Sequence, residues 1–176
     1  MTAAGDVGAL ISEAARQYSG GHYAEAATVV SAVLAIDPGA AAALYLAGLC
    51  QLAQGQSDAG IGMLERAFAR EPSNDEFRTN LALARAHRGE HRAVIELLDD
   101  LLLRRPDNLP IYQPLATAKW ELGDRPGAIA VYRLLVDRSP DDAVSHQALG
   151  DALLQTGDVQ QALSLLQRAA YLQPDN

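Results

Sequence analysis

Residues 41–74, AAALYLAGLCQLAQGQSDAGIGMLERAFAREPSN, contain the pattern that decides the fold. A run of helix-compatible residues ends at Gly55, a second run follows, and a polar turn surrounds Pro72. Glycine lets the backbone leave a helix and proline cannot continue one, so this stretch predicts two helices joined by a short turn. One such pair cannot bury its own apolar face, so its stability must come from stacking on neighbouring pairs.

The same punctuation recurs every 34 residues along the chain. Prolines lie at 38, 72, 106, 140 and 174, and glycines at 21, 55, 89, 123 and 157. After a leader at 1–6, this period defines the units 7–40, 41–74, 75–108, 109–142 and 143–176. No segment shows the sustained alternation of a β-strand. The sequence therefore predicts one all-α domain of ten helices in five antiparallel pairs.

Small residues recur where two helices of a pair should meet. The eighth position of each unit is Ala or Gly, and the twentieth is Ala, Gly or Val. Small side chains at both positions let the two backbones approach closely. Helix N-caps are expected from polar residues in the turns, namely Ser57, Asn74, Asn108, Asp124, Asp142 and Asp158.

The composition limits the class of protein. The chain has 176 residues, 49% of them hydrophobic, and a formal net charge of -8. Since such a surface repels phosphate, we expect no nucleic-acid partner. No run approaches the roughly 18 apolar residues of a membrane-spanning helix, and the first residues lack the pattern of a secretory signal. We therefore expect a soluble, cytoplasmic protein, and its excess of arginine over lysine is typical of a GC-rich bacterial genome.

The 34-residue period, the small residues and the regular proline resemble the tetratricopeptide repeat (TPR). The segments GHYAEAATVVSAVLAIDP (21–38) and LYLAGLCQLAQGQ (44–56) lie close to that family's pattern. The resemblance covers 7–176 and implies a right-handed α-solenoid, the TPR superhelix. It departs from the family at the fourth position, where bulky residues are preferred but Arg78 and His146 occur. We expect His146 to be a core or half-buried residue.

In the TPR family, the first helix of each repeat lines a concave groove that binds a partner. The resemblance therefore implies a protein-binding or peptide-binding surface with aromatic anchors, which are typical of binding hot spots. Its apolar half would lie in the first two units, and its amides and acids would surround the single tryptophan. Carried over by position, the surface consists of Ile11, Tyr18, Tyr45, Leu49, Leu52, Thr79, Leu83, His87, Gln113, Trp120, Gln147 and Asp151.

Two of these aromatic residues have a second interpretation. Tyr18 and Trp120 could instead seal contacts between helices, whereas Tyr45 favours the groove. The carboxylate clamp of chaperone-binding relatives needs basic side chains and Asn at set positions. At these positions the chain has Ile11, Ala15, Leu46, Glu76 and Asn80. Only Asn80 is of a type that the clamp uses, so we expect no such clamp.

The resemblance implies a scaffold that binds a peptide or helical segment of a partner with an apolar face. One alternative is a partner- or substrate-recruiting arm of a larger bacterial enzyme, of the glycosyltransferase or sulfotransferase type. Another is a homo-oligomer assembled through the open ends, because the last helix carries an apolar edge that no later helix covers.

Residues that could carry chemistry do not form a catalytic pattern. His87 and His91 are four apart, but Gly89 lies between them at a turn, and no third ligand is near in sequence. Cys50 is flanked by leucines, which favours a buried thiol. The adjacent acidic pairs lack the opposed geometry of catalytic carboxylates. We expect no enzyme activity, no cofactor and no metal.

The fourth unit has prolines outside the regular positions. Pro110 suits the first turn of a helix. Pro114 lies about one turn further along, so we expect it to remove a hydrogen bond and to bend a helix at 109–122.

Overall fold

The computed structural model describes residues 3–173, with side chains from residue 7 onward. These residues form ten α-helices and one 3₁₀ turn, and no β-strand lies among them. None of these helices is both long and apolar enough to cross a membrane. The all-α prediction with ten helices is confirmed. The helices are α1 (Ala3–Ser19), α2 (Tyr23–Ile36), α3 (Ala41–Ala53), α4 (Ser57–Arg70), α5 (Asp75–His87), α6 (His91–Arg104), α7 (Tyr112–Glu121), α8 (Arg125–Arg138), α9 (Ala143–Gln155) and α10 (Val159–Leu172).

The helices belong to two compact units, which divide between Ala84 and Arg85. In the first unit, α1 packs on α2 and α3 packs on α4, and α3 also contacts α1 and α2. In the second unit, α7 packs on α8 and α9 packs on α10, while α8 contacts α9 and α6 contacts α7. Within the units, α1 with α2, α3 with α4, α7 with α8 and α9 with α10 therefore pair as the repeat predicts. The leader at 1–6 and the single domain over 7–176 stay predictions.

The contact between α3 and α4 requires glycine on both helices. A Cβ atom added to Gly48 would lie 2.9 Å from the carbonyl oxygen of Gly60, and one added to Gly60 would lie 2.9 Å from the carbonyl oxygen of Gly48. Such distances leave no room for a methyl group. The close approach predicted from the small residues is thus confirmed for this pair.

The turns within the pairs use the predicted glycines. Gly55 and Gly123 have φ angles of 78° and 89°, in the left-handed region that glycine adopts without strain. The turn geometry brings the second helix back along the first.

Most of the predicted N-caps are confirmed. The side chains of Asn74, Asp124, Asp142 and Asp158 each accept a hydrogen bond from a backbone N–H in the first turn of the following helix. The predictions for Asn108 and Ser57 are wrong. Asn108 precedes a 3₁₀ turn and makes no side-chain cap hydrogen bond. Ser57 is already the first helical residue of α4, and the residue before it makes no side-chain cap.

The unusual residues at the fourth position of the repeat share one contact, which is a hydrogen bond to the carbonyl of the regular proline six residues earlier. Arg78 donates to the carbonyl oxygen of Pro72 over 3.1 Å, and the Tyr112 hydroxyl donates to that of Pro106 over 2.7 Å. His146 Nε2 donates to Pro140 over 2.8 Å, and this side chain is buried as expected. The departures from the family pattern therefore satisfy a turn carbonyl that leucine would leave unpaired.

The fourth unit differs from its prediction. Residues Leu109–Ile111 form a 3₁₀ turn, and α7 begins only at Tyr112. Pro114 is the third residue of α7, where backbone N–H groups have no partner within the helix. The expectation that Pro114 removes a helical hydrogen bond is therefore wrong, because the α-helix starts late enough to place the proline in its first turn.

Candidate peptide-binding cavity

A cavity of about 680 Å³ lies between α1, α3 and α5 in the first unit. Three of the residues expected to bind a partner line it, namely Tyr18, Tyr45 and Leu49. We call it the α1/α3/α5 cavity. Its full lining is Ala15, Tyr18, Ser19, Ala42, Tyr45, Leu46, Leu49, Glu71, Asn74, Glu76, Phe77 and Asn80.

Tyr45 is a fixed part of the cavity wall. Its ring stacks on Phe77, with 4.6 Å between the ring centroids and 25° between the planes. Its hydroxyl donates to Glu76 Oε1 over 2.9 Å and accepts from Asn80 Nδ2 over 2.9 Å. Burial raises the pKa of Tyr45 well above its usual value, and the hydrogen bond to Glu76 adds to this effect. The hydroxyl of Tyr45 therefore stays protonated. The stacking on Phe77 and the two hydrogen bonds hold the ring in one orientation.

Tyr18 lies where both interpretations considered for it place its ring. The ring is half-buried and lines the cavity, and it also meets Tyr23 of α2 with 5.3 Å between centroids. Burial raises its pKa, and the neighbouring Tyr23 raises it further. Tyr18 thus joins the α1–α2 contact to the cavity wall.

Acidic and amide groups surround the apolar wall. Glu71 and Glu76 are exposed, and Asn74 donates to Glu71 Oε2 over 3.2 Å. Among the described residues, no lysine, arginine or histidine lines the cavity. Within residues 3–173, the ion pairs involve neither Glu71 nor Glu76. The cavity therefore combines an apolar floor with carboxylates that have no basic counter-charge.

Sequence reasoning missed part of this wall. Phe77, Glu71 and Asn74 were not among the expected binding residues. Glu76 entered only as a mismatch to a carboxylate clamp, and Asn80 only as the single polar residue that matched it. Phe77 lies on α5 at the third position of its unit, and Glu71 and Asn74 lie in the turn before α5. The groove positions carried over from the family are all on the first helices of the repeats. The sequence pattern therefore gave no reason to assign turn residues to the binding surface.

The other expected residues of the first unit lie outside this cavity. Leu52 packs against α4, since its Cγ would lie 2.7 Å from a Cβ at Gly60. Thr79 is buried on α5, while Ile11 and Leu83 are half-buried. Leu52 and Thr79 therefore contribute mainly to packing.

In the second unit, the expected residues are mostly exposed. Gln113, Asp151 and His87 are exposed, and Gln147 lines a smaller cavity of about 340 Å³ beside α10. The guanidinium of Arg125 lies 4.1 Å from the ring centroid of Trp120 and covers one face of it. The indole is half-buried.

The described residues show no metal-binding cluster and a buried thiol. No three His, Cys, Asp or Glu side chains of residues 3–173 come together as metal ligands would. Cys50 is fully buried, and burial raises its pKa, which confirms the predicted buried cysteine.

Comparison with known proteins gives a consistent family and fold. A model of the tetratricopeptide repeat family matches residues 21–174. No curated protein matches the chain. Among solved structures, MamA MSR-1 has a TM-score of 0.85 at 22% identity, covering 96% of this chain and 97% of its own. MamA RS-1, solved as the ArsTM double mutant, has a TM-score of 0.88 at 15% identity, covering 96% and 94%.

A third solved structure carries a functional description. YrrB, described as a TPR protein with an unusual peptide-binding site, has a TM-score of 0.84 at 18% identity, covering 95% of this chain and 86% of its own. At these identities the likeness shows the fold, and the fold is that of TPR interaction scaffolds, which bind protein or peptide partners and are generally not catalytic.

Proposed function

The chain belongs to the tetratricopeptide repeat family, and from that premise we propose that it is a cytoplasmic scaffold that binds a peptide segment of a partner protein in the α1/α3/α5 cavity. The observation that carries this proposal is the cavity of about 680 Å³, walled by Tyr18, Tyr45 and Leu49. Concave sites with apolar walls and a few oriented polar groups are the usual binding sites of proteins.

The cavity suits a side chain that is inserted from outside. Burying one Leu or Phe side chain contributes roughly 1.5–3 kcal/mol. Tyr45 is already fixed by its stacking on Phe77 and its two hydrogen bonds. Little conformational entropy is therefore lost from the wall on binding, and more of the burial energy becomes affinity.

Residues outside the cavity have secondary roles in this proposal. Ile11 and Leu83 would extend the apolar contact, and Gln113, Gln147 and Asp151 would contact polar groups of the partner. His87 and Trp120 would add contacts in the second unit.

A cavity-filling substitution tests the proposal. Ala42 lines the cavity and is half-buried, so Ala42→Phe should occupy the space that a ligand side chain would take. The matched control is Ala59→Phe, at an exposed position of α4 that does not line the cavity. Peptides selected from a random display library on the wild-type protein are the probe, and fluorescence anisotropy measures their affinity.

We expect the selected peptides to lose at least about tenfold in affinity for Ala42→Phe, since one buried apolar side chain contributes more than 1.4 kcal/mol. The Ala59→Phe protein should bind them as the wild type does. Equal binding by all three proteins, at equal helicity, would contradict a site in this cavity, and so would a selection that enriches no peptide.

A second candidate function is self-association through α10, which one observation favours. Leu163 is 51% exposed, although its equivalent one unit earlier, Ile129, is half-buried, and Tyr171 on the same helix is 76% exposed. A second copy would cover these side chains. Sedimentation equilibrium over a range of concentrations tests this, and Leu163→Glu should then abolish any dimer. A wild-type mass that stays monomeric throughout would exclude it.

A further inference from the structure

The charge of the α1/α3/α5 cavity indicates which partner chemistry it selects. The TPR carboxylate clamp presents basic side chains to an acidic ligand. Here the corresponding positions include Glu76 and Asn80, and no basic residue of the described part of the chain lines the cavity. The electrostatic preference of the site is therefore the reverse of a carboxylate clamp.

Glu76 is held in place at the cavity. Its Oε1 accepts the hydroxyl hydrogen of Tyr45 over 2.9 Å, and its backbone carbonyl accepts from Asn80 over 3.0 Å. A carboxylate has about four lone-pair sites, so one hydrogen bond from Tyr45 leaves most of its acceptor capacity unused. Since Glu76 is exposed and in no ion pair among the described residues, it can accept hydrogen bonds from a ligand.

Glu71 adds a second carboxylate at the same cavity. It accepts from Asn74 over 3.2 Å, and it too is exposed and makes no ion pair within residues 3–173. Two carboxylates that line one concave site attract a cation more strongly than a single carboxylate does.

Resting on the proposed function, we propose that the α1/α3/α5 cavity selects a peptide segment in which an arginine or lysine stands next to a large apolar residue. The apolar side chain enters between Tyr18, Leu46 and Leu49, and the cation lies against Glu76 and Glu71. Arginine is the better fit of the two, because its planar guanidinium pairs with a carboxylate through two parallel hydrogen bonds.

The first experiment compares sequences selected by the protein. Random peptides displayed on phage are panned on the wild-type chain at low and at physiological salt. We expect arginine or lysine to be enriched beside Leu, Phe, Ile or Trp, with weaker retention at the higher salt. Enriched peptides that are neutral or acidic, yet are lost on Ala42→Phe, would overturn the charge preference and leave peptide binding intact. Peptides indifferent to Ala42→Phe would overturn the proposed function itself.

The second experiment locates the charge effect. Glu76→Gln and Glu71→Gln each remove one negative charge at the cavity, and Glu25→Gln removes one from an exposed position of α2 outside it. With a labelled cationic peptide, the two cavity variants should bind about two- to fivefold more weakly, as for a part-exposed ion pair. Glu25→Gln should have little effect.

A matched neutral peptide completes the cycle. When its arginine is replaced by glutamine, the Glu76→Gln protein should bind it as well as the wild type does, because the coupling is then absent. If Glu25→Gln weakened the cationic peptide as much as Glu76→Gln, the effect would come from net charge, and selection at the cavity would be refuted. Circular dichroism of each variant verifies that the helices are intact.

Discussion

The closeness of α3 and α4 predicts that the same substitution will have opposite effects at two neighbouring glycines of one helix. Gly60→Ala places a Cβ 2.7 Å from Leu52 Cγ and 2.9 Å from the carbonyl oxygen of Gly48. Gly62→Ala, two residues further along α4, meets no described atom within 4 Å apart from its chain neighbours and the backbone of its own helix. Both substitutions exchange glycine for the best helix former, so their difference isolates the contact between the helices.

The magnitudes follow from two terms. Replacing a helical glycine by alanine stabilises by roughly 0.8–1 kcal/mol, and Gly62→Ala should gain up to that amount. Gly60→Ala gains the same term but must move a backbone carbonyl, and overpacking of this kind costs roughly 1–3 kcal/mol. Leu52 can adjust its rotamer, whereas the carbonyl of Gly48 can move only with α3. We therefore expect Gly60→Ala to lie about 1–3 kcal/mol below Gly62→Ala in free energy of unfolding.

The assay is urea unfolding followed by far-ultraviolet circular dichroism, with the wild type and both variants at one temperature. Equal m values would justify comparing the midpoints directly. In thermal melts, each kcal/mol should correspond to roughly 2–4 °C for a chain of this size. If Gly60→Ala were as stabilising as Gly62→Ala, α3 and α4 would lie further apart than described, and the reasoning about small residues at the eighth and twentieth positions would be refuted.

Of three further predictions, two concern single hydrogen bonds and one concerns a titration. Tyr112→Phe should destabilise by about 1 kcal/mol, because it removes the hydrogen bond to the Pro106 carbonyl, and a shifted urea midpoint would report it; an unchanged midpoint would show that this bond adds nothing. Asp142→Ala should cost about 1 kcal/mol through loss of the α9 N-cap, while Asp142→Asn should retain most of the stability, as thermal melts can test. Because the folded-state pKa of Tyr45 is raised, its contribution is complete below the unfolded pKa of about 10 and is lost as pH rises above it. The fall of the melting temperature at alkaline pH should therefore be shallower in Tyr45→Phe, and an identical slope would contradict this cause.

The fold was largely predictable because it rests on residues with few alternatives. Left-handed turns need glycine, regular proline ends each second helix, and a fixed period then sets the pairs. The prediction failed at Pro114, where a 3₁₀ turn moves the start of α7. Prolines lie on both sides of this start, and the sequence does not reveal which residue between them begins the helix. It also did not reveal that Arg78 and His146 serve as donors to a proline carbonyl, since this contact depends on how the turn folds back.

The candidate cavity was predictable only in part. Tyr18, Tyr45 and Leu49 follow from their positions on the first helices, and they do line it. Glu71 and Phe77 could not be found in this way, because they reach the cavity through the turn before α5 and the stacking on Tyr45. Leu52 was assigned to the binding surface by its position alone. Its side chain instead packs against α4, in the space left by the absent side chain of Gly60.

The contact of Arg125 with the ring of Trp120 makes this tryptophan a fluorescent reporter of unfolding. The chain has a single tryptophan, and it lies in α7 of the second unit, whereas Tyr18 and Tyr45 lie in the first. Selective excitation of the indole therefore follows one half of the molecule without any label, and its emission should change once the guanidinium leaves the ring. Comparison of that signal with circular dichroism, which averages over every helix, would show directly whether the two halves unfold in one step or in two.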